Sequence, residues 1–206
     1  MTTLQLIMLG ISAFFAYKVF EHVQTLQNQD TNQNTDSNPN QNSNNEDKGM
    51  DSFSPFSASE LIEKADEAFE AGDAQKSLAF LIEADVKAPN NTEILYKLGY
   101  ISASIDDNMN AIKYYKLSLD VDESDEAVHN SLASVYRNEK QFASAKLHLN
   151  DSLSINDKNP ITYYNYGNLM LDMESEDAAR EMYQKAIELN PDFKEAKEEL
   201  AKLDKE

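Results

Sequence analysis

Residues 160–193 read PITYYNYGNLMLDMESEDAAREMYQKAIELNPDF, and residues 126–159 read EAVHNSLASVYRNEKQFASAKLHLNDSLSINDKN. Laid one on the other, the two stretches match in their small residues: Ala133 with Gly167, Ala145 with Ala179, Ser152 with Ala186. Two further steps of 34 toward the N-terminus reach Thr92 and Ala58, so four units follow one another without insertion: 58–91, 92–125, 126–159 and 160–193. A fixed period of this length means a stack of small supersecondary units that share one elongated core.

Numbering each unit from 1 to 34 exposes the packing pattern. Position 8 holds Ala65, Gly99, Ala133 and Gly167; position 20 holds Ser77, Ala111, Ala145 and Ala179; position 27 holds Ala84, Ser118, Ser152 and Ala186. Small side chains recur where helices must approach closely. Positions 8 and 20 suit a contact inside a unit, and position 27 a contact with the next. Large residues fall between them at helical spacing. Position 4 holds Leu61, Leu95, His129 and Tyr163, and position 24 holds Leu81, Tyr115, Leu149 and Tyr183. This alternation lets the ridges of one helix enter the grooves of another.

Turn signals divide each unit: Gly72-Asp73, Asp106-Asp107 and Asn138-Glu139-Lys140. Pro89-Asn90-Asn91, Asn159-Pro160 and Asn190-Pro191 separate successive units. Asn159 before Pro160 is an N-cap followed by proline at the first helical position, and Ser57 with Glu60 has capping-box spacing. Helices are therefore expected near 58–71, 74–87, 92–104, 108–121, 126–138, 142–155, 160–172 and 176–189. After Pro191, the apolar stripe Phe193, Ala196, Leu200 and Leu203 predicts a closing helix in 194–206, with one face on the last unit and the other in water.

The pattern resembles the tetratricopeptide repeat family. Unit four carries it most clearly, through Tyr163, Tyr166-Gly167, Ala179, Tyr183, Ala186 and Pro191. Leu132-Ala133, Tyr136, Phe142 and Ala145 carry it in unit three, and Leu98-Gly99, Ala111 and Tyr115 in unit two. Unit one keeps Ala65, Gly72, Ala84 and Pro89 but departs at Lys64 and Asp85, as suits an end repeat with one solvated side. The resemblance implies an all-α solenoid of four helix-turn-helix repeats and a binding module rather than a reaction centre. It also implies a concave groove lined by the first helix of each unit, especially positions 2, 5, 9, 12 and 13. Candidate groove residues are Tyr96, Tyr100, Asn130, Ser134, Arg137, Tyr164 and Asn168. Tyrosine offers contact area with a polar tip, and asparagine can bond both groups of a peptide backbone. The alternative for Tyr96, Tyr100 and Tyr164 is that they fill space between units. Family members that grip acidic chaperone tails use a lysine–asparagine clamp; here Ile62 and Asp66 stand at those places, so an acidic peptide is a poor ligand.

The first quarter of the chain is of another kind. Leu4–Phe20 reads LQLIMLGISAFFAYKVF, 17 residues in which only Gln5, Ser12 and Lys18 are clearly polar. As a helix it reaches about 25 Å against a hydrocarbon core of about 30 Å. No basic residue precedes it and no small-x-small site follows, which argues against a cleaved signal peptide. Lys18 lies off the face of Gln5 and Ser12, which argues against an interfacial helix. A single-pass anchor in 1–22 is the favoured reading, of the kind that tethers bacterial inner-membrane members of the family. Lys18 alone tilts the repeats toward the cytoplasm by the positive-inside rule, and one lysine leaves the opposite topology open. In Gln27–Lys48, twelve of 22 residues are Asn or Gln and none is apolar, so 23–56 reads as a disordered linker.

Net charge is −19, with 32 acidic against 16 basic residues from Asp51 onward. Such a surface repels a polyanion and disfavours nucleic acid as a partner. The absence of cysteine removes disulfides, thiolate catalysis and zinc–thiolate sites. His22, His129 and His148 show no ligand spacing within one helix, and the five glycines form no phosphate-binding loop, so neither a metal nor a cofactor is expected. No pair of carboxylates stands out for acid–base work, and the chain is expected not to be an enzyme. The expectation is a membrane-tethered scaffold that binds a neutral or basic segment of a protein partner. The alternative is an anchored, chaperone-like holder of unfolded clients.

Overall fold

A computed structural model describes residues 54–204. Among these residues nine α-helices and no strand are found: α1 (Ala58–Glu70), α2 (Ala74–Lys87), α3 (Thr92–Ser104), α4 (Asn108–Val121), α5 (Glu126–Asn138), α6 (Phe142–Ile155), α7 (Pro160–Asp172), α8 (Glu176–Leu189) and α9 (Lys194–Leu203). Odd-numbered helices α1 to α7 open the four units, and α9 follows the last. The starts are built as the residue types require. Ser57 and Glu60 close a reciprocal capping box on α1. Asn91, Asp125 and Asn159 accept backbone N–H groups at the starts of α3, α5 and α7.

The turn inside each unit is one motif used four times. Position 15 has a left-handed backbone throughout: Gly72 at φ 82°, Asp106 at 60°, Lys140 at 57° and Glu174 at 58°. The N–H of the following residue reaches back to the first helix, as Asp73 to Ala68 O (2.9 Å), Asp107 to Ser102 O (2.9 Å), Gln141 to Tyr136 O (2.8 Å) and Ser175 to Met170 O (2.9 Å). These bonds satisfy carbonyls that a helix end leaves unpaired. Three units tolerate a side chain in this conformation, at a cost that only glycine avoids.

Within a unit the two helices are locked at position 8. A Cβ on Gly99 would lie 2.6 Å from the Tyr115 ring, and one on Gly167 would lie 2.5 Å from the Tyr183 ring. Both rings rest directly on helix backbone, and both tyrosines are fully buried. Units one and three carry the smaller partner at position 24 and the larger one at position 8: Leu81 with Ala65, Leu149 with Ala133, all buried. Each unit thus trades volume across one contact, a larger side chain on one helix against a smaller one on the other. Position 20 belongs to the same contact, since Ser77 Oγ donates to Ala65 O over 2.7 Å. Position 27 faces the next unit, and Ser152 Oγ lies 2.9 Å from Thr162 Oγ1.

The array bends toward its first helices. α3 touches α5 and α5 touches α7 directly, whereas no comparable contact joins α4 to α6 or α6 to α8. First helices therefore form the inner wall and second helices the outer one. At the N-terminal end, Lys64 lies 4.2 Å from the Phe56 ring centroid, so its departure from the repeat pattern is covered by that ring. At the other end, α9 buries Ala196 and Leu203, and Phe193 packs on Tyr164 at 5.1 Å. Among the described residues no helix is long and apolar enough to cross a membrane. The anchor read in Leu4–Phe20 and most of the linker lie outside the described residues.

Gly167→Ala is expected to destabilise the chain by about 1–3 kcal/mol, and Gly167→Leu by more, because a side chain there overpacks against Tyr183. Adding Tyr183→Leu recreates the Ala–Leu pair of units one and three, so the double variant should be more stable than the sum of the single changes predicts. Additive losses in urea unfolding would show that the two positions do not share volume. Glu174→Gly relieves a left-handed side chain, and the melting temperature should rise, with a gain of up to about 1 kcal/mol.

Candidate functional site

The inner wall carries two adjoining depressions. The first, of about 240 Å³, is lined by Tyr96, Ala127, Asn130, Ser131, Ser134, Asn159, Ile161 and Asn165. The second, of about 360 Å³, lies among Tyr100, Ala103, Ser104, Ser131, Ser134 and Asn138, with Tyr115 and Val135 beneath. Ser131 and Ser134 are common to both, so the two form one trough along α3, α5 and α7. No charged side chain is in the lining of either.

Register explains where the trough begins. Position 9 of one unit faces position 6 of the next. Between units one and two this pair is Asp66 and Lys97, joined at 2.7 Å. The ion pair fills the space, although its exposure limits its contribution to about 0–1 kcal/mol. The equivalent pairs farther along are Tyr100 with Ser131 and Ser134 with Asn165, and there the wall stays open.

The aromatic side chains form a ladder. Phe69 meets Tyr100 edge-on at 5.7 Å, Tyr100 stacks on Tyr96 at 6.4 Å, and Tyr96 leans on Tyr115 at 5.7 Å. From Tyr100 inward burial increases: Tyr100 is 49% exposed, Tyr96 is half-buried and Tyr115 is enclosed. Burial holds the Tyr115 hydroxyl well above the usual tyrosine range, and Tyr183 likewise, so both remain neutral donors.

The seven residues expected to line the groove divide into two groups. Tyr96, Tyr100, Asn130 and Ser134 line the trough. Arg137, Tyr164 and Asn168 do not. Arg137 Nε sits 3.5 Å from Asp172 Oδ2, Asn168 Oδ1 accepts the Tyr183 hydroxyl at 2.7 Å, and Tyr164 is wedged between Tyr183 and Phe193. Tyr164 therefore serves the junction with α9.

Asn130 has a further task. It is only 6% exposed, and its amide nitrogen lies 2.9 Å from both Ser152 Oγ and Thr162 Oγ1. Its carbonyl oxygen accepts from Asn165 Nδ2 at 3.3 Å. This polar network pins unit four onto unit three and orients Asn165 at the trough edge. Asn165 keeps its own carbonyl oxygen and a second N–H for a ligand.

Ser131 and Asn165, both at position 6, were not among the expected residues. The signal for them was present: positions 2, 6, 9 and 13 step by four, three and four, which is one stripe along a helix. Position 5 lies to the side of that stripe and turns toward the neighbouring unit. His129 on α5 and His148 on α6, which show no ligand spacing within one helix, come together with their Nδ1 atoms 3.0 Å apart.

The family model for the tetratricopeptide repeat matches residues 92–125 and 161–193, which are units two and four. Those two units are tetratricopeptide repeats. No curated protein sequence matches the chain. Among solved structures the array is similar to MamA, residues 41 to the end, from Desulfovibrio magneticus RS-1, with a TM-score of 0.63 and 20% identity over 71% of this chain and 83% of that one. It is similar to YrrB, described as a tetratricopeptide protein with an unusual peptide-binding site, at TM-score 0.61 and 18% identity over 69% and 73% of the two chains. A third structure is the first tetratricopeptide domain of Spaghetti (RPAP3) bound to the HSP90 peptide SRMEEVD, at TM-score 0.52 and 24% identity over 55% and 90%. These likenesses are of fold. Tetratricopeptide arrays are interaction modules, and this one presents an uncharged trough of tyrosine, serine and asparagine on its inner wall.

Proposed function

We propose that the chain is a non-catalytic adaptor that takes an extended segment of a partner protein into the trough between α3, α5 and α7. The carrying observation is the lining itself. It offers hydroxyl and amide groups without charge, beside a half-exposed Tyr100. An extended peptide presents neutral N–H and C=O groups at regular intervals, and side chains of this kind bond them without a charge to desolvate. Tyr100 and Tyr96 add apolar area for the partner's side chains. That YrrB and the Spaghetti domain are described with peptides supports this class of ligand. An acidic tail such as SRMEEVD suits this groove poorly, since the lining offers no cation and the net charge is −19. A neutral or basic segment is the favoured partner.

The apolar run Leu4–Phe20 supports a membrane tether, which would raise the effective concentration of the array near membrane-bound partners. Lys18 favours the cytoplasmic side for the repeats. The second reading, a holder of unfolded clients, draws on the outer wall. Ile82, Leu117, Leu147 and Ile155 on second helices are exposed there.

Peptides selected from a random library against the full chain should lose about tenfold in affinity or more on Tyr100→Ala, while the melting temperature stays nearly unchanged. A large fall in melting temperature with binding intact would make Tyr100 a packing residue and refute the groove. Suppression of client aggregation that survives Tyr100→Ala but falls on Leu147→Lys would favour the holder. In cell fractions, the full chain should resist alkaline extraction from membranes, and deletion of residues 1–22 should release it.

A further inference from the structure

Position 4 is Leu61, Leu95 and Tyr163 in units one, two and four, and position 23 is Phe80, Tyr114 and Met182. Unit three alone has histidine at both places. The two side chains face each other between α5 and α6, on the side of α5 away from the trough. Two apolar positions have thus been given up together, at a packing cost that the fold does not require.

The geometry around them is that of a ligand set. His129 Nδ1 and His148 Nδ1 are 3.0 Å apart. Asp151 Oδ2 lies 3.8 Å from the first and 4.0 Å from the second. A triangle with these sides has a circumradius of about 2.1 Å, which is the length of a zinc bond to imidazole nitrogen or carboxylate oxygen. His129 Nε2 sits 3.2 Å from Glu123 O. Donating a proton there fixes the tautomer and leaves a lone pair on Nδ1, the outer arrangement that metal-bound histidines use. The His148 ring is held flat against Tyr136, with centroids 5.5 Å apart and planes 5° from parallel. The Asp151 side chain is 43% exposed and opens the cluster to solvent.

We propose that His129, His148 and Asp151 form a site for one divalent transition-metal ion of the zinc class. Two imidazoles and one carboxylate leave a fourth position for water or an incoming ligand. The ion would staple α5 to α6 within the unit that carries the centre of the trough. Burial, then His129, then Lys116 on α4 hold the His148 imidazolium below the usual histidine range, against the opposing pull of Asp151.

The test is titration of the metal-depleted full chain with Zn²⁺ by calorimetry, and with Co²⁺ by visible absorption. One equivalent should bind, the melting temperature should rise, and Co²⁺ should give the intense bands of a four-coordinate N/O site. His129→Leu and His148→Phe install residues that other units carry at the same positions. Each should abolish the tight equivalent, and Asp151→Asn should weaken it by about tenfold or more. Should His129→Leu fail to fold, His148→Phe and Asp151→Asn still decide the matter. Equal titration of the parent and His148→Phe, as scattered surface carboxylates would give, overturns the site. So does a Co²⁺ spectrum that stays octahedral.

Discussion

Everything in this array depends on how closely two helices can approach at position 8. In units two and four the approach is complete, with the rings of Tyr115 and Tyr183 lying on the bare backbone of Gly99 and Gly167. In units one and three a methyl group is added on one side and the ring becomes leucine on the other. Dense packing makes these the two sensible solutions to one volume constraint. Each unit solves it at the same two positions, with all eight residues buried or bare backbone.

The trough is a consequence of that stacking. Stacking brings the first helices of units two, three and four into contact and places position 9 of one unit against position 6 of the next. What occupies the pair then decides local function. Asp66 and Lys97 fill it with an ion pair. Tyr100 with Ser131, and Ser134 with Asn165, leave it open and uncharged. The buried amide of Asn130 bonds across the junction of units three and four and so holds this wall in register. A wall fixed in advance loses less entropy when it binds. Unit three is thus the specialised one: it supplies Ser131 and Ser134 to the trough, Asn130 to the junction, and the facing histidines to the opposite side of α5.

Much of the fold was legible in the chain. The period, the small residues at positions 8, 20 and 27, and the caps at Ser57 and Asn159 each follow from local stereochemistry, and each is found where residue type demanded it. The left-handed turns were only partly legible. Gly72 announces such a conformation, whereas Lys140 and Glu174 adopt it under the constraint of the helices they join. The groove was legible as a face and less so as a list. Tyr96, Tyr100 and Ser134 line it, but Asn168 and Tyr164 are engaged by Tyr183 and Phe193. A hydrogen-bond partner 15 residues away leaves no mark on periodicity.

Residue order by itself determined the helical period, the helix ends and the spacing of small against large side chains, because these depend on backbone stereochemistry and on volume within one unit. Tertiary structure alone decided which side chains are used up and which remain available. Asn130 and Asn165 are the same residue type one position apart in their units, yet one is enclosed by Ser152 and Thr162 and the other stands at the trough edge. His129 and His148 are 19 residues apart and on different helices, and only the antiparallel return of α6 along α5 makes them neighbours. Contacts of this kind are set by distance in space, to which separation along the chain is no guide.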